Sequence, residues 1–257
     1  MLEIISLYIA SFEEERRIRI YLPKNYTNKK QSYPVLYMHD GQNVFQDHDA
    51  IGGTSLNLEH YLDKNELNVI VVGIDQNSEE RINEYCPWIT GEYSKKITGH
   101  NSYEGGKGKL YVDFIVNHLK PYIDNKYRTL KEHTALAGIS LGGLISIYAM
   151  CRYPQVFRNI AVFSSAFYRN QEELETLIRD SDLSFIERVY VDCGTKEAGD
   201  EEIINKEFLA SNNAIYDLLK EKTSNVKLKT IIDAEHNYLS FRERVPELLA
   251  FLHKKYS

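Results

Sequence analysis

Six short apolar runs, most of them separated by segments with helical spacing, constrain the fold of this 257-residue chain most strongly. Runs of this length, rich in Val, Ile and Leu, are typical of strands buried on both faces of a parallel sheet. Their alternation with helices predicts an α/β architecture, with a mostly parallel central sheet and helices on both faces. The runs are PVLYM at 34–38, NVIVVGI at 68–74, TALAG at 134–138, IAVF at 160–163, RVYVD at 188–192 and VKLKTII at 226–232.

Further segments complete this prediction. Residues 17–22 alternate polar and apolar side chains, as in a half-buried antiparallel strand. Because no repeat or low-complexity linker interrupts the chain, we expect one domain over residues 1–257. Ligands in such sheets bind beyond the carboxyl ends of the strands, which is where chemistry should lie. The predicted helices span residues 110–122, 144–152, 172–178, 203–222 and 245–255.

Composition and charge limit the kinds of partner and the cellular compartment that we expect for this chain. A net charge of −6 gives no electrostatic reason to expect nucleic acid or an anionic membrane. The N-terminal apolar run becomes charged at residues 13–17, which argues against a signal peptide, and no run approaches a membrane span. The three cysteines, an odd number without metal spacing, favour a reducing compartment. We therefore expect a cytoplasmic protein.

The pentapeptide GISLG at 138–142 directly follows the third run and directly precedes a predicted helix. In this context G-x-S-x-G predicts a sharp turn that lifts the serine hydroxyl clear of the sheet. Ser140 is therefore the candidate nucleophile. The Leu141 amide, at the start of the helix, is a candidate donor to an oxyanion. The alternative is a chance match in an ordinary strand–turn–helix.

A serine hydroxyl is a poor nucleophile unless a base takes its proton. Such a turn is followed in sequence by an acid and then a histidine, and only His236 and His253 lie far enough downstream. His253 falls inside the last predicted helix, on a face that we expect to be solvated. His236 follows the last run through a short loop and is the candidate base. The alternative is that His236 is a loop histidine with no catalytic role.

The acid should follow the run at 188–192. Glu197 comes just past that run, after a turn opened by Gly194, and is the preferred acid. Asp200 is the second candidate, although it also suits the acidic first turn of the next helix. Asp192, at the end of the run, is the third.

The segment HDGQN at 39–43 follows the first run and is expected to complete the oxyanion site. We assign the second donor to the Gln42 backbone amide, with Gly41 or Asn43 as alternatives. A plain strand-to-loop turn is the other possibility. The same loop carries acidic residues and His48, but it lacks the spacing of metal ligands, so we expect no metal.

Residues 77–109 form a long connection with little periodicity, and we expect this insertion to line the site. Arg81, Tyr85 and Trp88 are the expected substrate contacts, which would suit an aromatic or anionic acyl group. The alternative is that Trp88 packs over the edge of the core. Ser164 and Ser165, after the fourth run, are further candidates for lining the cleft.

These motifs resemble the esterase D group of α/β hydrolases, which includes enterochelin esterases, feruloyl esterases and S-formylglutathione hydrolases. The resemblance implies the α/β-hydrolase fold and a triad of Ser140, Glu197 and His236. Members of the group often have Asp as the acid, and many have an apolar residue where this chain has His39. The likeness covers nearly the whole chain and rests on YMHDGQN at 37–43, RINEYCPW at 81–88, AGISLGG at 137–143, GTKE at 194–197 and His236.

The resemblance also implies an activity. We expect a serine hydrolase that cleaves a small-molecule carboxylic ester through an acyl-enzyme and needs no cofactor. An acyltransferase on the same scaffold and a non-catalytic binding protein are the alternatives. A siderophore, a feruloyl ester, an acetyl ester or a thioester all suit as substrate, and the sequence leaves a homodimer open.

Overall fold

An eight-stranded sheet forms the centre of the molecule in the computed structural model, which describes residues 1–89 and 91–253 apart from the side chain of His253. The strand order is β1-β2-β4-β3-β5-β6-β7-β8. Strands β3 to β8 run parallel, whereas β1 and β2 pair antiparallel. The predicted α/β class is confirmed. The strands are Leu2–Ile9 (β1), Glu14–Tyr21 (β2), Tyr33–His39 (β3), Ile70–Ile74 (β4), Thr129–Ile139 (β5), Asn159–Phe163 (β6), Arg188–Lys196 (β7) and Val226–Glu235 (β8).

Helices connect the strands and cover the sheet. All five predicted helices are present, although the part of the last one predicted beyond residue 253 lies outside the described residues. Within the described residues, no helix is both long and apolar enough to cross a membrane. The helices are Leu58–Lys64 (α1), Arg81–Tyr85 (α2), Glu92–Thr98 (α3), Gly108–Phe114 (α4), Lys120–Lys126 (α5), Leu141–Arg152 (α6), Gln171–Asp180 (α7), Glu202–Lys222 (α8), Tyr238–Arg242 (α9) and Val245–His253 (α10), with a π-helical segment, Ile115–Leu119, joining α4 and α5.

Three regions differ from the sequence-based expectation. The run at 226–232, expected to be a buried strand, lies in the edge strand β8, where none of its seven residues is buried. The N-terminal apolar run forms β1, an edge strand that the sequence patterns do not predict. Residues 77–109, expected to lack regular structure, contain α2, α3 and the beginning of α4. Helices of five and seven residues are too short to show apolar periodicity, so their sequence carries little signal of them.

The sheet separates two hydrophobic cores. Along β3, Val35 and Tyr37 face the larger core, whereas Leu36 and Met38 face the smaller one. This alternation follows from the two-residue period of a strand. The larger core is closed by α4 to α8 and the smaller one mainly by α1 and α10. Because helices cover both faces of the sheet, the site has to lie at the ends of the strands.

Candidate active site

Ser140 occupies a strained turn between β5 and α6. Its φ of 59° and ψ of −122° are rare for a residue with a side chain. A Cβ at Gly138 would lie 2.0 Å from the carbonyl oxygen of Gly142, so the turn requires glycine there. The Ser140 amide donates to the Phe163 carbonyl at 3.0 Å, and the Ala166 amide donates to the Ser140 carbonyl at 3.0 Å. These bonds fix the turn against the carboxyl end of β6.

Glu197 and His236 contact each other directly. Glu197 Oε2 lies 2.6 Å from His236 Nδ1. The Glu197 side chain is fully buried, whereas that of His236 is 30% exposed. An ionised carboxylate accepts the Nδ1 proton, which leaves the basic lone pair of the neutral ring on Nε2. The pair therefore has the arrangement that a histidine base and its orienting acid require.

The charge state of Glu197 follows from its hydrogen bonds. Burial by itself raises the pKa of this carboxyl group, but bonds from His236, the Ser164 hydroxyl and the Gly194 amide outweigh that effect and hold the pKa below its usual value. The two shorter contacts, to Ser164 Oγ and to the Gly194 nitrogen, both measure 2.5 Å and converge on Oε1. Glu197 is consequently an anion at neutral pH.

Contacts along the sheet edge connect this pair to Ser140. Ser164 lies between the two residues that bond to the backbone of Ser140, and its hydroxyl bonds to Glu197. The parallel register of β7 and β8 pairs Lys196 with Glu235, which brings Glu197 and His236 side by side. The structure thus brings the three predicted triad residues to one edge of the sheet.

The two other candidate acids lie elsewhere. Asp192 is fully buried, and its carboxylate accepts hydrogen bonds from Arg244 Nη1 at 2.9 Å and from the Tyr190 hydroxyl at 3.2 Å. Asp200 is exposed in the turn after β7 and lines a surface groove with Lys196. Among the hydrogen bonds of the described residues, His236 bonds to neither Asp192 nor Asp200.

The predicted oxyanion loop lies against the serine turn. A Cβ at Gly142 would lie 3.3 Å from His39 Cβ, so the end of β3 packs directly on the first turn of α6. The Asn43 amide donates to the Asp40 carbonyl at 2.8 Å, which removes Asn43 from the candidate donors. The Gln42 side chain accepts a hydrogen bond from the backbone of Gln76 at 3.0 Å, and this bond anchors the residue whose amide is the preferred donor.

A second contact ties this loop to the histidine. Asn43 Nδ2 lies 2.9 Å from the hydroxyl of Tyr238, two residues after His236. The acidic cluster at 47–49 is engaged in the fold, since Asp49 pairs with Arg19 at 2.6 Å and Asp47 accepts from the Ser55 amide at 2.9 Å. No group of three or more metal-ligating side chains occurs within residues 1–89 and 91–253.

The expected substrate contacts in the insertion have different positions. Arg81 Nε and Nη2 each donate to a carboxylate oxygen of Asp40 at 2.8 Å, and the Arg81 side chain remains 23% exposed. Tyr85 is fully buried, with its hydroxyl accepting from the Asp40 amide, so the expectation that it contacts substrate is wrong. Trp88 is partly exposed and packs edge-on against Tyr148, with 5.3 Å between the ring centroids.

Two residues of the site have roles that the sequence did not suggest. Ser164, expected only to line the cleft, is fully buried and bonds to Glu197. Arg244, between α9 and α10, had no predicted role and bonds to Ser164 Oγ at 2.8 Å. A polar residue directly after a buried strand was a usable signal for Ser164. Arg244 lies 80 residues away in sequence, and no local pattern indicates that contact.

The Putative esterase family model matches residues 9–252 of this chain. The uncharacterized protein YbbA of Bacillus subtilis is 29% identical over 210 residues, which cover 80% of this chain and 79% of YbbA. Ferri-bacillibactin esterase BesA of Bacillus subtilis is 23% identical over 175 residues, which cover 63% of this chain and 58% of BesA.

Solved structures agree on the fold. An IroE-like serine hydrolase from Shewanella oneidensis superposes with a TM-score of 0.77 at 19% identity, over 98% of this chain and 79% of that one. At this identity the likeness establishes the α/β-hydrolase fold alone. The expected membership of an esterase family is confirmed by the family model. Because the family model spans nearly all of the sequence, this chain belongs to the Putative esterase family of α/β hydrolases.

Proposed function

We propose that this protein is a serine esterase, with Ser140 as nucleophile, His236 as general base and Glu197 as the acid that orients His236. One observation carries the proposal: an ionised, buried carboxylate lies 2.6 Å from the Nδ1 of a partly exposed histidine, at the sheet edge that bears the strained serine turn. Family membership supports ester hydrolysis, and this geometry supports the serine mechanism.

The proposed reaction has two half-reactions. His236 Nε2 takes the hydroxyl proton of Ser140 as Oγ attacks the ester carbonyl carbon. The Leu141 and Gln42 amides donate to the oxyanion that forms. Collapse of the tetrahedral intermediate releases the alcohol, which receives the proton from His236, and leaves an acyl-enzyme. Water then attacks the acyl carbonyl carbon while His236 takes its proton. The bond to Ser140 Oγ breaks, Oγ receives that proton from His236, and the carboxylic acid product is released.

The substrate class that we propose is a small-molecule carboxylic ester. The Arg81 side chain remains partly exposed while it is bound to Asp40, and Trp88 is partly exposed, so both are proposed to face the acyl group. BesA is named for ferri-bacillibactin, and a siderophore ester therefore belongs in the test panel beside feruloyl, acetyl and thioesters. The three cysteines are free and buried, which supports the proposed cytoplasmic location.

Replacement of the nucleophile tests the mechanism. Ser140→Ala should abolish labelling by a fluorophosphonate probe and lower turnover of p-nitrophenyl acetate by about 10³-fold or more. Ser184→Ala, at an exposed serine, is the matched control and should behave as wild type. Unchanged turnover in Ser140→Ala would overturn the proposal. Product analysis with and without an added alcohol separates hydrolysis from acyl transfer.

A matched pair of variants tests which carboxylate orients His236. Glu197→Gln should lower kcat by about 10³-fold or more, because an amide neither fixes the histidine tautomer nor balances its charge. Asp200→Asn removes a nearby but exposed carboxylate and should leave kcat within about twofold. The opposite result would assign the role to Asp200.

A further inference from the structure

Arg244 is a buried cation behind the candidate triad. The residue is 5% exposed, so it has no surface from which to contact a substrate. Its Nη1 donates to Asp192 Oδ1 at 2.9 Å and to Ser164 Oγ at 2.8 Å. Asp192 supplies the opposite charge that a buried guanidinium needs, and Ser164 connects the pair to the site.

The chemistry of these groups fixes the direction of the hydrogen bonds. A guanidinium can only donate, so the Ser164 oxygen accepts from Arg244. The single hydroxyl proton of Ser164 is then left for Glu197 Oε1, which lies 2.5 Å away. Oε1 accepts this proton and a hydrogen bond from the Gly194 amide, with Cys193 Sγ a longer contact at 3.8 Å, and Oε2 faces His236. Without Arg244, the Ser164 oxygen loses the donor that fixes its orientation, and the hydroxyl is free to turn away from Glu197.

Arg244 also supports the histidine from a second side. Its guanidinium carbon lies 5.2 Å from the centroid of the Phe241 ring. Phe241 in turn packs edge-on against His236, with 5.2 Å between the ring centroids. One buried side chain thus contacts a neighbour of each partner in the Glu197–His236 pair.

We propose that Arg244 is a positioning residue of the esterase site, acting through Ser164 to orient Glu197 toward His236. The inference rests on the proposed function, since it assigns Arg244 a role in the same reaction. Arg244→Met should lower kcat by about 10²-fold, the cost of a small misplacement of catalytic groups. KM should stay within about twofold, because Arg244 does not touch the substrate. Arg244→Lys, which keeps a donating cation, should recover part of the loss.

A double-mutant cycle separates positioning from general stability. Ser164→Ala should lower kcat by about tenfold, as expected when one hydrogen bond to a charged group is lost. If Arg244 acts through Ser164, the double variant Ser164→Ala/Arg244→Met should lose little more than Arg244→Met alone. Losses in kcat that multiply across the cycle would overturn the proposal, as would wild-type kcat in a folded Arg244→Met.

Two controls keep the test decisive. Arg244→Met leaves Asp192 buried and unpaired, so Asp192→Asn/Arg244→Met removes that charge should the single variant fail to fold. Arg16→Met deletes an equally buried arginine, paired with Glu84 at 2.7 Å, and should lower stability without the loss in kcat. An equal loss in Arg16→Met would overturn the proposal. If Ser140→Ala remains active, the proposed function itself fails, whereas an inactive Ser140→Ala beside an active Arg244→Met rejects only this inference.

Discussion

His39 is an ionisable side chain enclosed at the base of the site. It is 3% exposed, its Nδ1 lies 2.8 Å from the Tyr111 hydroxyl, and it packs against Gly142 of the serine turn. Burial lowers the pKa of His39 to about 4. In the unfolded chain the same ring titrates near its ordinary pKa of about 6.5. Between these two values the unfolded state binds a proton that the folded state does not.

This difference predicts an acid-sensitive stability. Because the unfolded chain takes up the proton first, the free energy of unfolding falls as the pH drops from about 6.5 toward 4. Between pH 7 and pH 5 the wild type should lose about 2 kcal/mol more than His39→Leu. Urea denaturation of both proteins at the two pH values measures the difference. Equal losses would show that His39 does not couple protonation to folding.

The serine turn allows a prediction at the scale of one structural element. A methyl group at Gly138 would meet the backbone of Gly142 at 2.0 Å, and the backbone cannot yield without opening the turn. Gly138→Ala should therefore lower the free energy of unfolding by about 3 kcal/mol or more. At Gly142 the added methyl group would lie 3.3 Å from its nearest atom, His39 Cβ. The higher helix propensity of alanine stabilises the helix by up to about 1 kcal/mol and so offsets the free-energy cost of this close contact.

Chemical denaturation of the two alanine variants measures this contrast. Gly138→Ala should shift the urea midpoint strongly, and Gly142→Ala should shift it little. Both variants add the same methyl group within the same turn, so each is the control for the other. Similar shifts in the two proteins would contradict the backbone clash as the reason for glycine at 138.

The elements that the sequence predicts well are those with a local signal. Strands β3, β4, β6 and β7 are buried on both faces and therefore appear as continuous apolar runs, and the turn at 138–142 carries its own glycines. Glu197 and His236 could be proposed because each follows a strand directly, and parallel strands end at the same edge of the sheet.

The features that the sequence does not reveal depend on tertiary packing. The sequence predicts that Tyr85 contacts substrate, but its side chain is fully buried beneath the Asp40 loop. Its side chain supports that loop instead of meeting a ligand. Arg244 and Ser164 are 80 residues apart in the sequence, so no local spacing of residues can indicate their hydrogen bond. Helix α2 is too short for periodicity, so packing determines its position more than propensity does.

The whole molecule is organised around one continuous sheet. Strands β2 to β7 contribute side chains to both cores, as the alternation along β3 illustrates, so neither core can open without disrupting the other. The insertion at 77–109 is tied into this unit. The side-chain amide of Asn170, a fully buried residue, donates to the Trp88 carbonyl at 3.0 Å, and the Trp88 ring packs on Tyr148 of α6.

A single cooperative unfolding transition should follow from this organisation. Trp88 is the only tryptophan, so its fluorescence reports on the insertion, whereas far-UV circular dichroism reports on all helices and strands. The two signals should give the same urea midpoint, because the insertion shares its contacts with the main core. Trp88→Phe, followed by circular dichroism alone, controls for the effect of the probe. A fluorescence change at lower urea than the loss of secondary structure would instead show that residues 77–109 open as a separate unit.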